Sequence, residues 1–306
     1  MVGPGALGCL LAARLHLAGA GPVALLDHNP TRAALLNRQG IILEDAGGVN
    51  PAAMVPVSTD PATVGGAHLV LLCVKAPALS SALEAITPLL SPHSLLLALQ
   101  NGISHLEILS ARDLPCAWGL GVSTEGANLR GPGRVRSGGA GLTELGFTRP
   151  PSATADQLLG AAVTLLNRAG LRAARHPDII SRLWRKLIIN CGINALTVIH
   201  DCPNGRLLEI PAARQAMAAA VREAAAVAAA SGINPPDDLV ALTEAICRQT
   251  ATNISSMLQD IRQGRATEIL AINGEIVRRA KQFGLATPVN LELLTAVQLH
   301  HSPPIR

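Results

Sequence analysis

The chain opens with Met1-Val2-Gly3-Pro4-Gly5-Ala6-Leu7-Gly8, and an apolar helical pattern follows from residue 9 to residue 18. The three glycines of this stretch have the spacing G-x-G-x-x-G. At that spacing the first glycine permits a tight turn, the second lets the backbone approach a pyrophosphate, and the third lets the helix pack on a strand. Backbone amides at the helix N-terminus, here those of Ala6 and Leu7, then face the phosphates. The stretch therefore predicts a dinucleotide-binding loop, with an ordinary glycine-rich turn as the alternative.

Short apolar runs alternate with helical patterns behind this loop. The pattern predicts strands over 21–28, 68–76 and 94–100, and helices over 9–18, 31–38 and 79–90. Such alternation indicates right-handed βαβ units around a parallel sheet. The runs 69–74 and 95–99 are continuously apolar, as is typical of strands covered on both faces. We therefore expect an α/β fold that begins with a doubly wound, Rossmann-like sheet.

The second half of the chain has a different character. Residues 116–146 are glycine-rich and weakly alternating, which predicts antiparallel strands that extend the sheet at one edge. After a helix over 154–170 and a strand over 171–175, His176-Pro177-Asp178 opens a helical pattern that reaches about residue 200. Only helices are predicted beyond it, among them 212–231 and 267–283. We expect a dinucleotide-binding domain at 1–176 and an all-α substrate and catalytic domain at 177–306.

The strand that should precede the glycine loop is short. A first strand of about five residues is usual in this fold, and only Met1 and Val2 stand before Gly3. Two interpretations stay open: the strand begins upstream of this sequence, or this form of the chain is a weak cofactor binder.

Two charged residues bear on the choice of cofactor. Asp27 ends the second predicted strand, where a carboxylate can accept hydrogen bonds from the adenosine ribose diol and repel a 2′-phosphate, which favours NAD(H) over NADP(H). Arg32, in the next helical turn, could instead bind that phosphate. Alternatively, Asp27 is a turn or cap residue before Thr31.

Polar residues also follow the two apolar strands. Lys75 follows the run 69–74, and Asn101 follows the run 95–99. Because ligands of open α/β sheets bind at the carboxyl ends of the strands, we expect both side chains near the phosphate loop. Each could also be a solvated turn residue.

A polar stripe lies along the long helix of the second domain. Lys186, Asn190 and Asn194 recur at i, i+4 and i+8, which places them on one helical face. Reduction of a ketone requires a proton donor, and a partly desolvated lysine has a lowered pKa suited to that task. The two amides could bond the hydroxyl and carbonyl oxygens of a substrate. Alternatively, these asparagines bond the neighbouring backbone.

Two further residues could complete such a site. Ser256 lies in a helical stretch over 252–262, and Glu268 opens the next predicted helix. A carboxylate at Glu268 could orient the Lys186 ammonium, and the Ser256 hydroxyl could bond a substrate carboxylate. Alternatively, Glu268 only interacts favourably with the helix dipole.

Composition excludes several classes of function. The formal charge of +4 is spread along 306 residues with two Trp, two Phe and no Tyr, which argues against nucleic-acid binding by base stacking. The six cysteines form no CxxC pair, so we expect no metal site and no disulfide framework. No apolar run reaches about 18 residues, so we expect a soluble cytoplasmic protein with no membrane partner. The aliphatic second half could form a homodimer interface or fill its own core.

Taken in order, these landmarks resemble the ketopantoate reductase (2-dehydropantoate 2-reductase) family over nearly the whole chain. They are the loop over 3–8, Val74-Lys75, Leu99-Gln100-Asn101-Gly102, Trp184-x-Lys186-Leu187-x-x-Asn190-x-x-x-Asn194-x-Leu196-Thr197, Ser255-Ser256-Met257-x-x-Asp260 and Thr267-Glu268-Ile269-x-x-x-Asn273-Gly274. The resemblance implies reduction of ketopantoate to pantoate in pantothenate and coenzyme A biosynthesis, usually with NADPH. The presence of Asp27 leaves NADH open as the cofactor.

The resemblance also implies roles for single residues. Lys186 would be the general acid, and Glu268 would help to position it. The residues implied to hold the keto-acid substrate are Asn190, Asn194, Asn253 and Ser256. Lys75 and Asn101 would lie near the cofactor and the substrate.

Two other functions remain open. A related β-hydroxy acid dehydrogenase would also combine a Rossmann domain, a helical domain and a Lys/Asn pair on a helix, although the Ser256 and Glu268 landmarks favour ketopantoate reductase. A catalytically silent dinucleotide-binding sensor is compatible with the short first strand. It would not need the proton donor that Lys186 and Glu268 form.

Overall fold

The structure is a computed structural model that describes residues 1–45, 47–139, 141–235 and 238–301. Residues 302–306, which end the predicted second domain, lie outside the described residues. The chain forms two compact units. One contains Met1–Gln100 and His105–Ile179, and the other contains Asn101–Ser104 and the chain from Ile180 onwards.

The first unit is an α/β unit. Its described strands are β1 (Leu25–Leu26), β2 (Ile42–Asp45), β3 (Gly48–Val49), β4 (Val57–Ser58), β5 (Leu69–Leu72), β6 (Leu95–Ala98), β7 (Ala117–Ser123), β8 (Ala127–Gly131), β9 (Arg134–Ser137), β10 (Thr143–Gly146) and β11 (Ala173–Arg175). Its described helices are α1 (Ala6–Leu17), α2 (Pro30–Gln39), α3 (Leu79–Ile86), α4 (Ser104–Ser110) and α5 (Ala153–Arg168).

The main sheet has the strand order of a dinucleotide-binding fold. Strands β4 and β1 pair in parallel, and β5, β6 and β7 pair in parallel. Val2 joins the two groups through parallel bridges to Leu26 and Leu72. The strands therefore lie in the order β4, β1, Val2, β5, β6 and β7. With Val2 counted as strand 1, this is the order 3-2-1-4-5-6 that is typical of the doubly wound fold. The predicted α/β, Rossmann-like class is therefore confirmed.

Met1 and Val2, which precede the glycine loop, form hydrogen bonds to the strands on both sides. The Val2 N–H donates to the Leu71 carbonyl at 2.9 Å, and the Cys73 N–H donates to the Val2 carbonyl at 2.8 Å. On the other side, the Leu26 N–H donates to the Met1 carbonyl at 2.8 Å. Met1 and Val2 thus bridge the two groups of strands and lead directly into the glycine loop.

The glycine-rich segment is only partly an edge of this sheet. β10 pairs antiparallel with β7, as expected, and it also pairs in parallel with β11 at its outer side. β8 and β9 instead form a hairpin in a separate four-stranded sheet, ordered β3-β2-β9-β8. The reason is packing, because Val135 of β9 is buried in one hydrophobic cluster with Leu43 of β2 and Leu10 of α1.

The second unit is helical in its described part. Its helices are α6 (Ile179–Ile199), α7 (Pro211–Ala230), α8 (Leu239–Gln249), α9 (Ser256–Arg262), α10 (Asn273–Gln282) and α11 (Pro288–His301). α6 and α7 approach closely at Gly192, where a Cβ would lie 2.7 Å from a Val221 methyl group. No helix within the described ranges is long and apolar enough to cross a membrane.

Two helices begin later than predicted. α9 begins at Ser256 and not near residue 252, because the Ser255 side chain caps its first turn by accepting the Leu258 N–H. The helix predicted from residue 267 begins at Asn273. A 3-10 turn over Ile269–Ala271 precedes it, and the backbone of Ile272 (φ −108°, ψ −95°) separates the two. Glu268 therefore stands before a short turn and not in the first turn of α10.

Candidate functional site

The glycine loop has the close approaches that its spacing predicts. Gly3 has φ +98°, and a Cβ there would lie 2.8 Å from a Val74 methyl group. A Cβ on Gly8 would lie 2.0 Å from the Gly3 carbonyl oxygen, so the turn closes only on glycine. Gly5 differs from both, since its nearest neighbour would be the Cys73 carbonyl oxygen at 3.9 Å. The space beside Gly5 is therefore open to a ligand.

The N-terminus of α1 suits a phosphate group. Gly5 is the N-cap residue and brings no side chain that could cap the helix. First-turn amides of a helix have no intrahelical acceptor, and the helix dipole favours an anion beside them. The amides of Ala6, Leu7 and Gly8 occupy these positions. The loop and helix therefore fit the pyrophosphate of a dinucleotide.

Asp27 and Arg32 form a bidentate ion pair. Arg32 donates from Nε to one Asp27 carboxylate oxygen at 2.6 Å and from Nη2 to the other at 2.5 Å. This hydrogen bonding raises the pKa of Arg32. The Asp27 carboxylate is buried and also accepts the Asn29 N–H at 3.0 Å. Asn29, and not Asp27, caps α2. The two residues that bear on the choice of cofactor, Asp27 and Arg32, are therefore paired with each other.

Lys75 and its neighbours lie beyond the end of β5. Lys75 is half-buried and begins a 3-10 turn, with its carbonyl accepting the Ala78 N–H at 2.9 Å. Gln100, for which the sequence pattern predicted no role, donates from Nε2 to the carbonyls of Leu72 at 3.1 Å and Val74 at 3.2 Å. Gln100 thus anchors the segment that packs against Gly3. A glutamine at the end of a buried strand was the only signal for this contact.

In the helical unit, α6 carries the predicted polar stripe. Lys186 and Asn190 are half-buried, and Asn194 is buried at 6% exposure. Burial lowers the pKa of the Lys186 ammonium to about 8, and the nearby Glu268 carboxylate opposes that shift. Lys186 is therefore a cation that can release a proton near neutral pH.

Asn101 and Glu268 meet although 167 residues separate them. The Asn101 Nδ2 donates to a Glu268 carboxylate oxygen at 2.8 Å. Gly102 makes this approach feasible, because it has φ +79° and a Cβ there would lie 2.3 Å from the Ala271 carbonyl oxygen. The structure thus brings Lys186, Glu268 and Asn101 together in one unit. A lysine ammonium, a nearby carboxylate and an amide that holds the carboxylate are groups that can together donate a proton.

Ser256 and Asn253 lie at the start of α9. Both are exposed, with Ser256 in the first turn and Asn253 in the turn before it. The Asn253 carbonyl accepts the N–H of Asn204 at 3.0 Å. The sequence pattern did not indicate a role for Asn204. It donates from Nδ2 to Thr250 Oγ1 at 2.9 Å, and its buried Oδ1 has no hydrogen-bond partner among the described residues.

Comparisons with known protein families identify the family of the chain. The family model described as ketopantoate reductase PanE/ApbA matches residues 1–150, and the model of its C-terminal part matches residues 178–301. The 2-dehydropantoate 2-reductase of Halobacterium salinarum is 32% identical over 298 residues, which is 97% of this chain and 96% of the relative. The enzyme of the same name from Vibrio cholerae is 33% identical over 303 residues, again 97% of this chain and 96% of the relative.

Solved structures share the whole architecture. The ketopantoate reductase of Ralstonia eutropha JMP134 superposes with a TM-score of 0.86 at 31% identity, covering 98% of each chain. D-mandelate dehydrogenase in complex with NADH and anilino(oxo)acetate superposes with a TM-score of 0.89 at 28% identity, also covering 98% of each chain. These matches, together with the phosphate loop and the lysine-bearing helix, show that the chain belongs to the ketopantoate reductase family, whose members are NAD(P)H-dependent oxidoreductases acting on a CH–OH group.

Proposed function

We propose that the protein reduces 2-dehydropantoate to pantoate. The observation that carries this proposal is the contact of Asn101 with Glu268, beside a Lys186 whose pKa is lowered to about 8. The name shared by the curated relatives supports the choice of keto acid. A nicotinamide dinucleotide, when bound, supplies the hydride that the C2 carbon of the keto acid receives.

The chain's own residues provide the proton and the orientation. Lys186 Nζ donates a proton to the C2 oxygen, and solvent then returns a proton to the amine. Glu268 favours the charged form of Lys186, and Asn101 holds the Glu268 carboxylate. The amides of Asn190 and Asn194, with the Ser256 hydroxyl, bind the polar groups of the substrate.

The pH profile of kcat/KM tests the role of Glu268. A general acid must be protonated, so activity is expected to fall as the pH rises through about 8. In Glu268→Gln, the charge that raises the Lys186 pKa is lost, and this fall should move to lower pH. Glu292→Gln is the control, because it makes the same charge change at an exposed position of α11. An unmoved profile in Glu268→Gln would contradict the coupling.

The reaction itself is tested by following NADH and NADPH oxidation with 2-dehydropantoate and with phenylglyoxylate, the keto acid that corresponds to mandelate. We expect kcat/KM to be at least about tenfold higher for 2-dehydropantoate, a difference of about 1.4 kcal/mol. The opposite order would select a second candidate, a mandelate-type dehydrogenase, which the likeness to D-mandelate dehydrogenase favours. If the folded protein oxidises neither cofactor, the proposed reductase activity is refuted.

For the cofactor, we propose a preference for NADH over NADPH. The Arg32 guanidinium is already bound by both Asp27 oxygens, so it is not arranged to receive a 2′-phosphate. The buried Asp27 carboxylate would also repel that phosphate. D-mandelate dehydrogenase, a structural neighbour of this chain, binds NADH.

Asp27→Asn tests this preference. The substitution removes the negative charge and weakens the hold on Arg32, so the ratio of kcat/KM for NADH over NADPH should fall about tenfold or more. Asp45→Asn is the matched control, because Asp45 pairs with Arg14 at 3.0 Å in the same unit. An equal change of the ratio in both variants would argue against a specific role for Asp27.

A further inference from the structure

Two buried hydroxyl groups join α6 to the start of α9. Thr197, on α6, is fully buried, and Ser255, the N-cap of α9, is 7% exposed. Their oxygen atoms lie 2.6 Å apart, although 58 residues separate them in the sequence. Each hydroxyl lies close in sequence to a residue of the proposed substrate site. Asn194 precedes Thr197 by about one helical turn, and Ser256 directly follows Ser255.

The direction of these hydrogen bonds is determined by counting protons. The Thr197 hydroxyl donates its single proton to the Asn194 carbonyl at 2.7 Å. The 2.6 Å bond must therefore use the proton of Ser255, with Thr197 Oγ1 as the acceptor. Ser255 Oγ in turn accepts the Leu258 N–H at 3.1 Å. A one-way chain of three hydrogen bonds runs from the first turn of α9 to the backbone of Asn194.

We infer that Thr197 and Ser255 are positioning residues for substrate binding, an inference that rests on the proposed keto-acid reductase function. The chain of hydrogen bonds fixes the start of α9, and with it Ser256, relative to the turn of α6 that carries Asn194. Both hydroxyls are buried and bonded to protein groups, so the two residues act through Asn194 and Ser256. They determine the separation between the amide of Asn194 and the hydroxyl of Ser256, which must bind the same molecule.

Thr243 shows what a buried threonine with a local role looks like. It is fully buried on α8, and its hydroxyl donates to the Leu239 carbonyl of its own helix at 2.7 Å. That bond joins no second element. The Thr197 hydroxyl instead accepts a hydrogen bond from Ser255, the N-cap of another helix. Of these two threonines, Thr197 is therefore the one whose hydroxyl links α6 to α9.

The test compares Thr197→Val with Thr243→Val, which remove equally buried hydroxyls at unchanged volume. We expect Thr197→Val to raise KM for the keto acid about tenfold with kcat changed by less than about threefold, as when binding is lost without loss of chemistry. Thr197→Ser, which keeps the hydroxyl, should restore KM. Thr243→Val should leave KM unchanged. An unchanged KM in Thr197→Val, or an equal rise in Thr243→Val, would overturn the inference.

Two further measurements keep the outcome decisive. If Thr197→Val does not fold, Ser255→Ala replaces it, since it removes the donor of the same bond, and an unchanged KM there overturns the inference. Hydrogen exchange of the Leu258 amide, which is the first donor in the chain of bonds, should be faster in either variant but not in Thr243→Val. If the wild-type protein reduces no keto acid, the proposed function fails, whereas normal turnover with an unmoved KM in the variants fails only the positioning role.

Discussion

Replacing Lys186 with alanine is expected to lower kcat for keto-acid reduction by about 100-fold or more, the usual scale for loss of a general acid. The reason is that the Lys186 pKa of about 8 places an available proton near neutral pH, and alanine offers none. Steady-state kinetics with saturating cofactor measures the effect. Lys281→Ala, at an exposed position of α10, is the matched control and should leave kcat unchanged.

The pH dependence separates proton donation from simple binding. The wild-type kcat/KM should fall above pH about 8, and the residual activity of Lys186→Ala should lack that fall. If kcat barely changes in Lys186→Ala and only KM rises, Lys186 binds the substrate and the proton comes from elsewhere.

Replacing Gly5 with alanine is expected to weaken NADH binding by about tenfold or more while the protein stays folded. Gly5 has φ −74°, which alanine adopts readily, and the new Cβ would come no closer than 3.9 Å to any neighbour. The loss of stability should be at most about 1 kcal/mol, because alanine is a poorer N-cap than glycine. The methyl group would instead fill the space that the pyrophosphate needs. Cofactor titration by fluorescence and thermal unfolding together measure this separation.

Two other glycines frame this result. Gly66→Ala places its Cβ in open space in the same unit and should change neither cofactor affinity nor stability. Gly8→Ala would drive a Cβ to 2.0 Å from the Gly3 carbonyl oxygen, and we expect it to cost about 3 kcal/mol or more of folding free energy. Equal NADH affinity in Gly5→Ala and the wild-type protein would place the pyrophosphate elsewhere.

Local patterns in the sequence were enough to predict the fold class and the two key elements of the site. The glycine spacing and the apolar runs predicted the phosphate loop and the parallel strands, because backbone sterics and burial on both faces act over a few residues. The i, i+4, i+8 spacing likewise placed Lys186, Asn190 and Asn194 on one continuous helix, α6. These features depend on the geometry of residues that lie close together in the sequence.

Contacts between distant elements were decided only by the tertiary structure. The β8–β9 hairpin joins a second sheet because Val135 is buried with Leu43, and no local pattern states that choice. The same holds for the pairing of Asn101 with Glu268 and of Thr197 with Ser255. A side-chain bond across the fold depends on how whole helices pack, since a polar group forms it only where burial removes water and places a partner within reach. The sequence alone thus predicted which residues carry the chemistry, and packing determined which of these side chains hold one another in place.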